Sequence, residues 1–173
     1  LWGYGGYFYD GRWLNIVRRF RDYYGLTSDS SILDVGCAKG FILDDFIHIV
    51  PGVKVAGIDI SSYALGEAPS DVRPFLFLGN AKNLPFADRS FDLVISINTV
   101  HNLELEECKR AIAEIERVKK KHAFLVLDSY RNAQEEERMR KWNITGRTIL
   151  SVDEWCELFK EVGYTGDYYW FIP

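Results

Sequence analysis

Cysteine is scarce in this chain: only Cys37, Cys108 and Cys156 occur among 173 residues. The number is odd and no two stand close together, which argues against a disulfide framework or a Cys-x-x-Cys zinc site. Such usage fits a reducing, cytoplasmic setting. His48, His101 and His122 are scattered too, so no metal cluster is expected. An excess of basic charge is also missing. Lys and Arg number 21 against 25 Asp and Glu, for a net charge of -4, which disfavours nucleic acid as a partner. No apolar run approaches the roughly 20 residues needed to cross a bilayer, so no membrane partner is expected. The start of the chain lacks the basic and aliphatic regions of a signal peptide. It begins at Leu1 rather than methionine, which leaves room for further N-terminal sequence. No repeat or low-complexity linker divides it. The expected organisation is a single domain, 1–173, with a lid and helix over 1–24 and an α/β core over 25–173.

What the chain does have is two alternating periodicities. Trp13, Ile16, Val17, Phe20 and Tyr24 share a helical face within 11–24, and Gly25 ends that helix. "SILDVG" (31–36) reads as a buried strand, "FILDDFIHIV" (41–50) as a helix stopped by Pro51-Gly52, and "VKVAGIDI" (53–60) as a second strand. A short helix follows near 62–67, then a third strand, "RPFLFLG" (73–79). "FDLVISIN" (91–98) is almost continuously apolar, as in parallel strands covered on both faces. The helix expected at about 104–120 ends in "KKK" (119–121), where cations complement the helix dipole. "AFLVLDSY" (123–130) is a fifth strand and "QEEERMRKW" a polar helix. "SVDEWCELFKEVG" (151–163) is an amphipathic helix with Ser151 as N-cap and Gly163 at its end, and "YYWFIP" a last strand. The alternation predicts an α/β fold: an open, mostly parallel sheet of six or seven strands with helices on both faces. Ligands of such sheets bind beyond the carboxyl ends of the strands.

The first of those ends is "LDVGCAKGF" (33–41). Gly36 and Gly40 permit a tight turn and close backbone approach to a ligand, with a helix starting just after. The dinucleotide fingerprint G-x-G-x-x-G is not met, because the glycines are four apart and Ala38 stands between them. Asp34 would repel a pyrophosphate but attract an ammonium group.

The stretch resembles the glycine-rich first motif of class I S-adenosylmethionine-dependent methyltransferases, D/E-x-G-x-G-x-G, with Ala38 in place of the middle glycine. Three further matches follow in the family's order. Asp59 ends "GIDIS", 19 residues after Gly40, where the family places an acidic residue on the ribose hydroxyls. "GNAKNLPF" resembles Gly-Asp-Ala followed by Leu-Pro-Phe, with Asn80 for Asp and Ala81 offering a backbone amide beside the adenine. "SFDLVISINTVHNL" resembles the family's fourth strand and exit loop, with Asn98 facing the methionine portion. The resemblance spans about 31–130 and implies a Rossmann-like fold with S-adenosylmethionine as cofactor. The cofactor set it implies takes in Asp34, Gly36, Cys37, Ala38 and Gly40 from the first loop. Asp59 and Ile60 join from the second, Asn80 and Ala81 from the third, and Asn98 from the fourth. A further antiparallel strand after "YYWFIP" is usual in the family.

His101, after the fourth strand, is the candidate general base, since a near-neutral imidazole suits proton removal from an alcohol or ammonium acceptor. The alternative is a histidine packed in the loop. Asp128, Tyr130 and Arg131 follow the fifth strand and are candidates for the acceptor side. The exit "SINTV" lacks the Pro-Pro-Tyr or Pro-Pro-Phe step associated with planar nitrogens, and Cys108 and Cys156 lie on apolar helix faces, unlike a cytosine-methylating nucleophile. The expected reaction is methyl transfer to an oxygen or nitrogen of a small-molecule acceptor. Its rivals are a binding protein that kept the fold without turnover and a nicotinamide-dependent oxidoreductase. Finally, "LWGYGGYFYDGRW" holds six aromatic residues and four glycines in thirteen positions. Such a segment suits a lid, with Tyr7 or Tyr9 reaching the site and Arg12 anchoring its base. The alternative is a packed structural arm.

Overall fold

The structure is a computed structural model, and it describes residues 8–173. Helix α1 (Leu14–Tyr24) opens the described fold. It starts three residues later than the apolar spacing suggests because Gly11 takes a left-handed turn, φ 74°, ahead of it. Gly25, φ 61°, ends it as a left-handed cap. The core then alternates β1 (Ser31–Val35), α2 (Phe41–Ile49), β2 (Lys54–Asp59), α3 (Ser62–Gly66), β3 (Leu76–Leu78) and β4 (Phe91–Ile97). It continues with α4 (Leu105–Val118), β5 (Lys119–Tyr130), α5 (Ala133–Trp142), β6 (Leu150–Ser151), α6 (Val152–Val162) and β7 (Asp167–Phe171).

The seven strands form one sheet in the order β3-β2-β1-β4-β5-β6, with β7 also beside β5, and all six strand pairings are parallel. Side chains of a strand alternate between faces. Leu33 and Val94 accordingly join Ile112, Ile115 and Trp155 from α4 and α6. Ile32, Leu93 and Ile95 join Val17 and Phe20 from α1 and Leu43 and Phe46 from α2 on the other face. The continuous apolar run of β4 follows from this double cover. The capping box on α6 is complete: Ser151 accepts from the Glu154 N–H, and Glu154 accepts from the Ser151 N–H.

Two sequence expectations change. Lys119–Lys121 do not end α4; they begin β5, with no loop between helix and strand. The cations have anionic partners at the rim. Lys119 pairs with Glu116, while Lys120 and Lys121 lie 3.6 and 3.1 Å from Asp92. Burial would raise the Asp92 carboxyl, but hydrogen bonds from Ser31 and Lys121 outweigh it and hold it at about 2. The third strand is shorter than "RPFLFLG", because Arg73–Phe75 form a 3-10 turn around Pro74, with the Arg73 guanidinium donating to the Ala68 carbonyl. An open groove of about 750 Å³ between α1 and β7, lined by Phe20, Tyr24 and Tyr168 among others, lies at the amino end of β7, away from the strands' carboxyl ends.

Candidate active site

The carboxyl ends of β1, β2 and β4 converge, and the loop 36–40 is their centre. The Gly36 and Cys37 N–H groups both donate to the Ile58 carbonyl, at 2.8 and 3.1 Å, which pins the loop to β2. Gly40, φ 72°, stands at the N-cap of α2. Its N–H donates to the Cys37 carbonyl at 2.8 Å, closing the turn. Gly36 has φ 85°, and a Cβ placed there would lie 2.1 Å from the Thr99 hydroxyl oxygen. Both the backbone conformation and the close approach therefore require glycine. Thr99 comes from the β4 exit, so the two loops touch across the site. Sequence reading passed over Thr99; a threonine facing a glycine 63 positions away has no local signature.

Ala38 also adopts a left-handed backbone, φ 47°. For a residue with a Cβ this costs roughly 1–2 kcal/mol. Ala38→Gly is expected to stabilise the fold by about 1 kcal/mol after the extra chain entropy of glycine is deducted. Thermal unfolding would show this as a rise of roughly 2–4 °C, and an unchanged or lower midpoint would contradict it.

Asp59 is oriented before any ligand arrives. Its Oδ2 accepts from the Ala38 N–H and its Oδ1 from the Ser61 N–H, each at 2.8 Å. Each carboxylate oxygen keeps a lone pair for an incoming hydroxyl. Ile60 beside it is 74% exposed, a free apolar surface next to that carboxylate. Lys39 lies over the Tyr63 ring at 5.9 Å, joining the first loop to α3. The Asn80 Oδ1 accepts from the Lys82 N–H at 3.0 Å, which orients the side chain and leaves one lone pair on that oxygen. Ala81 packs partly buried against the core.

Asp34 is buried on β1, and its carboxyl is pushed up to about 8 by burial and then by the nearby Asp59. Burial likewise pushes the Cys37 thiol up, which makes it an inert wall of the site. A folded pKa above the unfolded value means that the native state binds the extra proton. Stability from Asp34 is thus full below about pH 4 and is lost as pH rises toward 8. Asp34→Asn is expected to raise the unfolding midpoint at pH 8 and to leave it nearly unchanged at pH 4. An equal shift at both pH values would show that Asp34 is ionised in the fold.

Asn98, φ 52°, turns the chain out of β4 in a conformation that Asn tolerates. Its N–H donates to the Val126 carbonyl and its carbonyl accepts from the Asn102 side chain, each at 3.0 Å. His101 is buried, and both ring nitrogens face one residue. Nδ1 accepts from the Asp128 N–H at 3.4 Å, and Nε2 lies 3.5 Å from Asp128 Oδ2. Burial lowers the ring to about 4 and raises the Asp128 carboxyl to about 6, so the histidine is neutral at pH 7.

The residues proposed for the acceptor side are more dispersed. Tyr130 ends β5 opposite Ser151. The Arg131 guanidinium and N–H both donate to the Glu135 carboxylate, just ahead of the Asn132 side chain that caps α5. The Tyr9 hydroxyl donates to Asp45 on α2. Arg12 pairs with Asp10 at 2.6 Å, at the base of the segment. Tyr7 lies outside the described residues.

The site thus brings together a glycine turn with no room for a side chain, an Asp59 carboxylate held by two backbone N–H groups, and the buried Asp34 carboxyl on β1. Residues 33–127, more than half of the chain, match the family described as a methyltransferase domain. A tRNA (carboxymethyluridine(34)-5-O)-methyltransferase of Arabidopsis thaliana is 33% identical over 132 residues, covering 75% of this chain and 31% of that protein. An uncharacterized protein of Haemophilus influenzae is 30% identical over 152 residues, covering 81% of this chain and 60% of its own length. The chain thus spans less than two thirds of either relative. Among solved structures, the YcgJ protein of Bacillus subtilis superposes with a TM-score of 0.68 at 20% identity, covering 88% of this chain and 68% of that one. Among the described residues no helix is long and apolar enough to cross a membrane. With the parallel sheet, the glycine turn and the family match in agreement, this chain belongs to the class I S-adenosylmethionine-dependent methyltransferases.

Proposed function

We propose that this chain methylates an oxygen or nitrogen of a small-molecule acceptor. S-adenosylmethionine, when bound, supplies an electrophilic methyl group on a sulfonium. Asp59 takes the donor's ribose hydroxyls, Asn80 and Ala81 its adenine, Asp34 its ammonium, and the loop 36–40 with Asn98 its methionine portion. Holding donor and acceptor in line is itself worth on the order of 7–11 kcal/mol in favourable cases. Among the described residues, Phe8 to Asp10, with Arg12 at their base, belong to the lid that keeps water from the site.

The observation that carries the small-acceptor reading is the charge pairing after β5. Arg131, Arg140 and Lys141 each pair at 2.6 Å with a glutamate four positions away: Glu135 after Arg131, Glu136 before Arg140 and Glu137 before Lys141. A surface that binds nucleic acid instead turns such cations toward phosphates. The second reading is an RNA nucleoside acceptor, favoured by the tRNA-modifying relative. Transfer of radiolabelled methyl groups to tRNA and to a panel of phenols, carboxylic acids and amines separates them. Label in a small molecule is expected, and label confined to tRNA would overturn the proposal.

His101 acts here as a positioning residue, because both its nitrogens are turned to Asp128, tying the exits of β4 and β5 together. Once an acceptor is found, His101→Gln should keep turnover within about tenfold of wild type and retain the acidic limb of the pH profile. A general base would instead show a loss of roughly 10²–10⁴-fold and no acidic limb.

A further inference from the structure

The first described residues do not lie loosely on the core. The Tyr9 hydroxyl donates to Asp45 Oδ1 at 2.5 Å, and the Tyr9 ring meets the edge of Phe41 with centroids 5.7 Å apart. Phe41 is the first residue of α2, directly after Gly40, so this contact sits one peptide bond from the cofactor loop. Asp45 is 2% exposed, and among the described residues its Oδ2 has no hydrogen-bond partner. An apolar side chain would serve packing better there, since a buried, half-satisfied carboxylate costs stability. The charged groups around it are Asp44 and His48 on its own helix and Arg18 from α1. None makes a hydrogen bond to Asp45, so the Tyr9 hydroxyl is its one described hydrogen-bond donor. Burial pushes the Asp45 carboxyl up, and the shared hydrogen bond pushes the Tyr9 phenol up to about 12, so the phenol stays a donor throughout the neutral range.

We propose that Tyr9 and Asp45 are a positioning pair that docks residues 8–12 on the N-terminal half of α2 and steadies the loop 36–40, so that docking and cofactor affinity rise together. The inference rests on the assignment of that loop to the cofactor. Linkage makes the coupling reciprocal: a ligand that orders the loop must also favour the docked segment. A pair that served packing alone would alter the melting temperature and leave affinity untouched.

The test compares wild type, Tyr9→Phe, Asp45→Ala, Asp45→Asn and the double variant Tyr9→Phe/Asp45→Ala. Calorimetry measures affinity for S-adenosylhomocysteine, and hydrogen exchange measures residues 8–12 with and without it. In wild type the ligand should slow exchange at 8–12 about tenfold. Tyr9→Phe and Asp45→Ala should each abolish that slowing and weaken binding by roughly three- to tenfold. The double variant should be no worse than either single one, because one interaction is removed in all three. Asp45→Asn, which keeps an acceptor oxygen, should recover part of the affinity. Unchanged affinity in the single variants, with or without a lower melting temperature, overturns the pair while leaving the cofactor assignment intact. A wild-type chain that binds no S-adenosylhomocysteine overturns the cofactor assignment and the pair with it.

Discussion

Gly36→Val is expected to abolish measurable cofactor binding and to destabilise the fold. The valine Cβ would begin 2.1 Å from the Thr99 hydroxyl oxygen and 2.3 Å from its methyl carbon. Something must move, and both candidates are loops that border the ligand. A β-branched residue at φ 85° adds backbone strain. Overpacking and strain each cost on the order of 1–3 kcal/mol, so a combined loss of about 2–6 kcal/mol is expected. Calorimetry with S-adenosylhomocysteine and thermal unfolding measure the two effects. The double variant Gly36→Ala/Thr99→Gly tests the cause, since it removes the threonine atoms and leaves only the conformational cost. If it is as unstable as Gly36→Ala alone, the contact with Thr99 is not what forbids a side chain.

Asp59→Ala is expected to weaken cofactor binding by about 1.5–3 kcal/mol, the range for hydrogen bonds to charged groups, or roughly ten- to 150-fold in Kd. The loss has two sources. The ribose hydroxyls lose their acceptor, and the Ala38 and Ser61 N–H groups lose the partner that sets the loop. Asp59→Asn retains one acceptor oxygen and should fall between wild type and Asp59→Ala. Unchanged affinity in Asp59→Ala would remove this residue from the site.

The layered sheet and the first, second and fourth loops were legible because their signals are local. Strand and helix periodicities differ, and the glycines, Asp59 and Asn98 mark sharp turns at strand ends. What escaped reading depends on residues distant in sequence. Thr99 matters because Gly36 faces it, and Asp45 because Tyr9 reaches it from 36 positions away. Lys119–Lys121 have the composition of a helix end, yet Asp92 and Glu116 make their position at the foot of β5 favourable. Arg131 is a candidate for the acceptor side from its place after the fifth strand, and its pairing with Glu135 four residues on is a contact that position alone does not reveal.

The strand order also sets a schedule for folding during synthesis. β1 lies between β2, which follows it closely, and β4, whose Asp92 comes 61 residues after Ser31. At about 5–20 residues per second, the ribosome needs roughly 3–12 s to deliver that second neighbour. Throughout that interval one edge of the most apolar part of the sheet has no partner. α1 can pack on α2 early, but its Tyr24 hydroxyl waits longer still, since it meets Asp167 143 positions later. A nascent chain paused between β2 and β4 should therefore be the form that chaperones capture, and synonymous slowing of translation before residue 91 should lower the soluble yield without altering the finished protein.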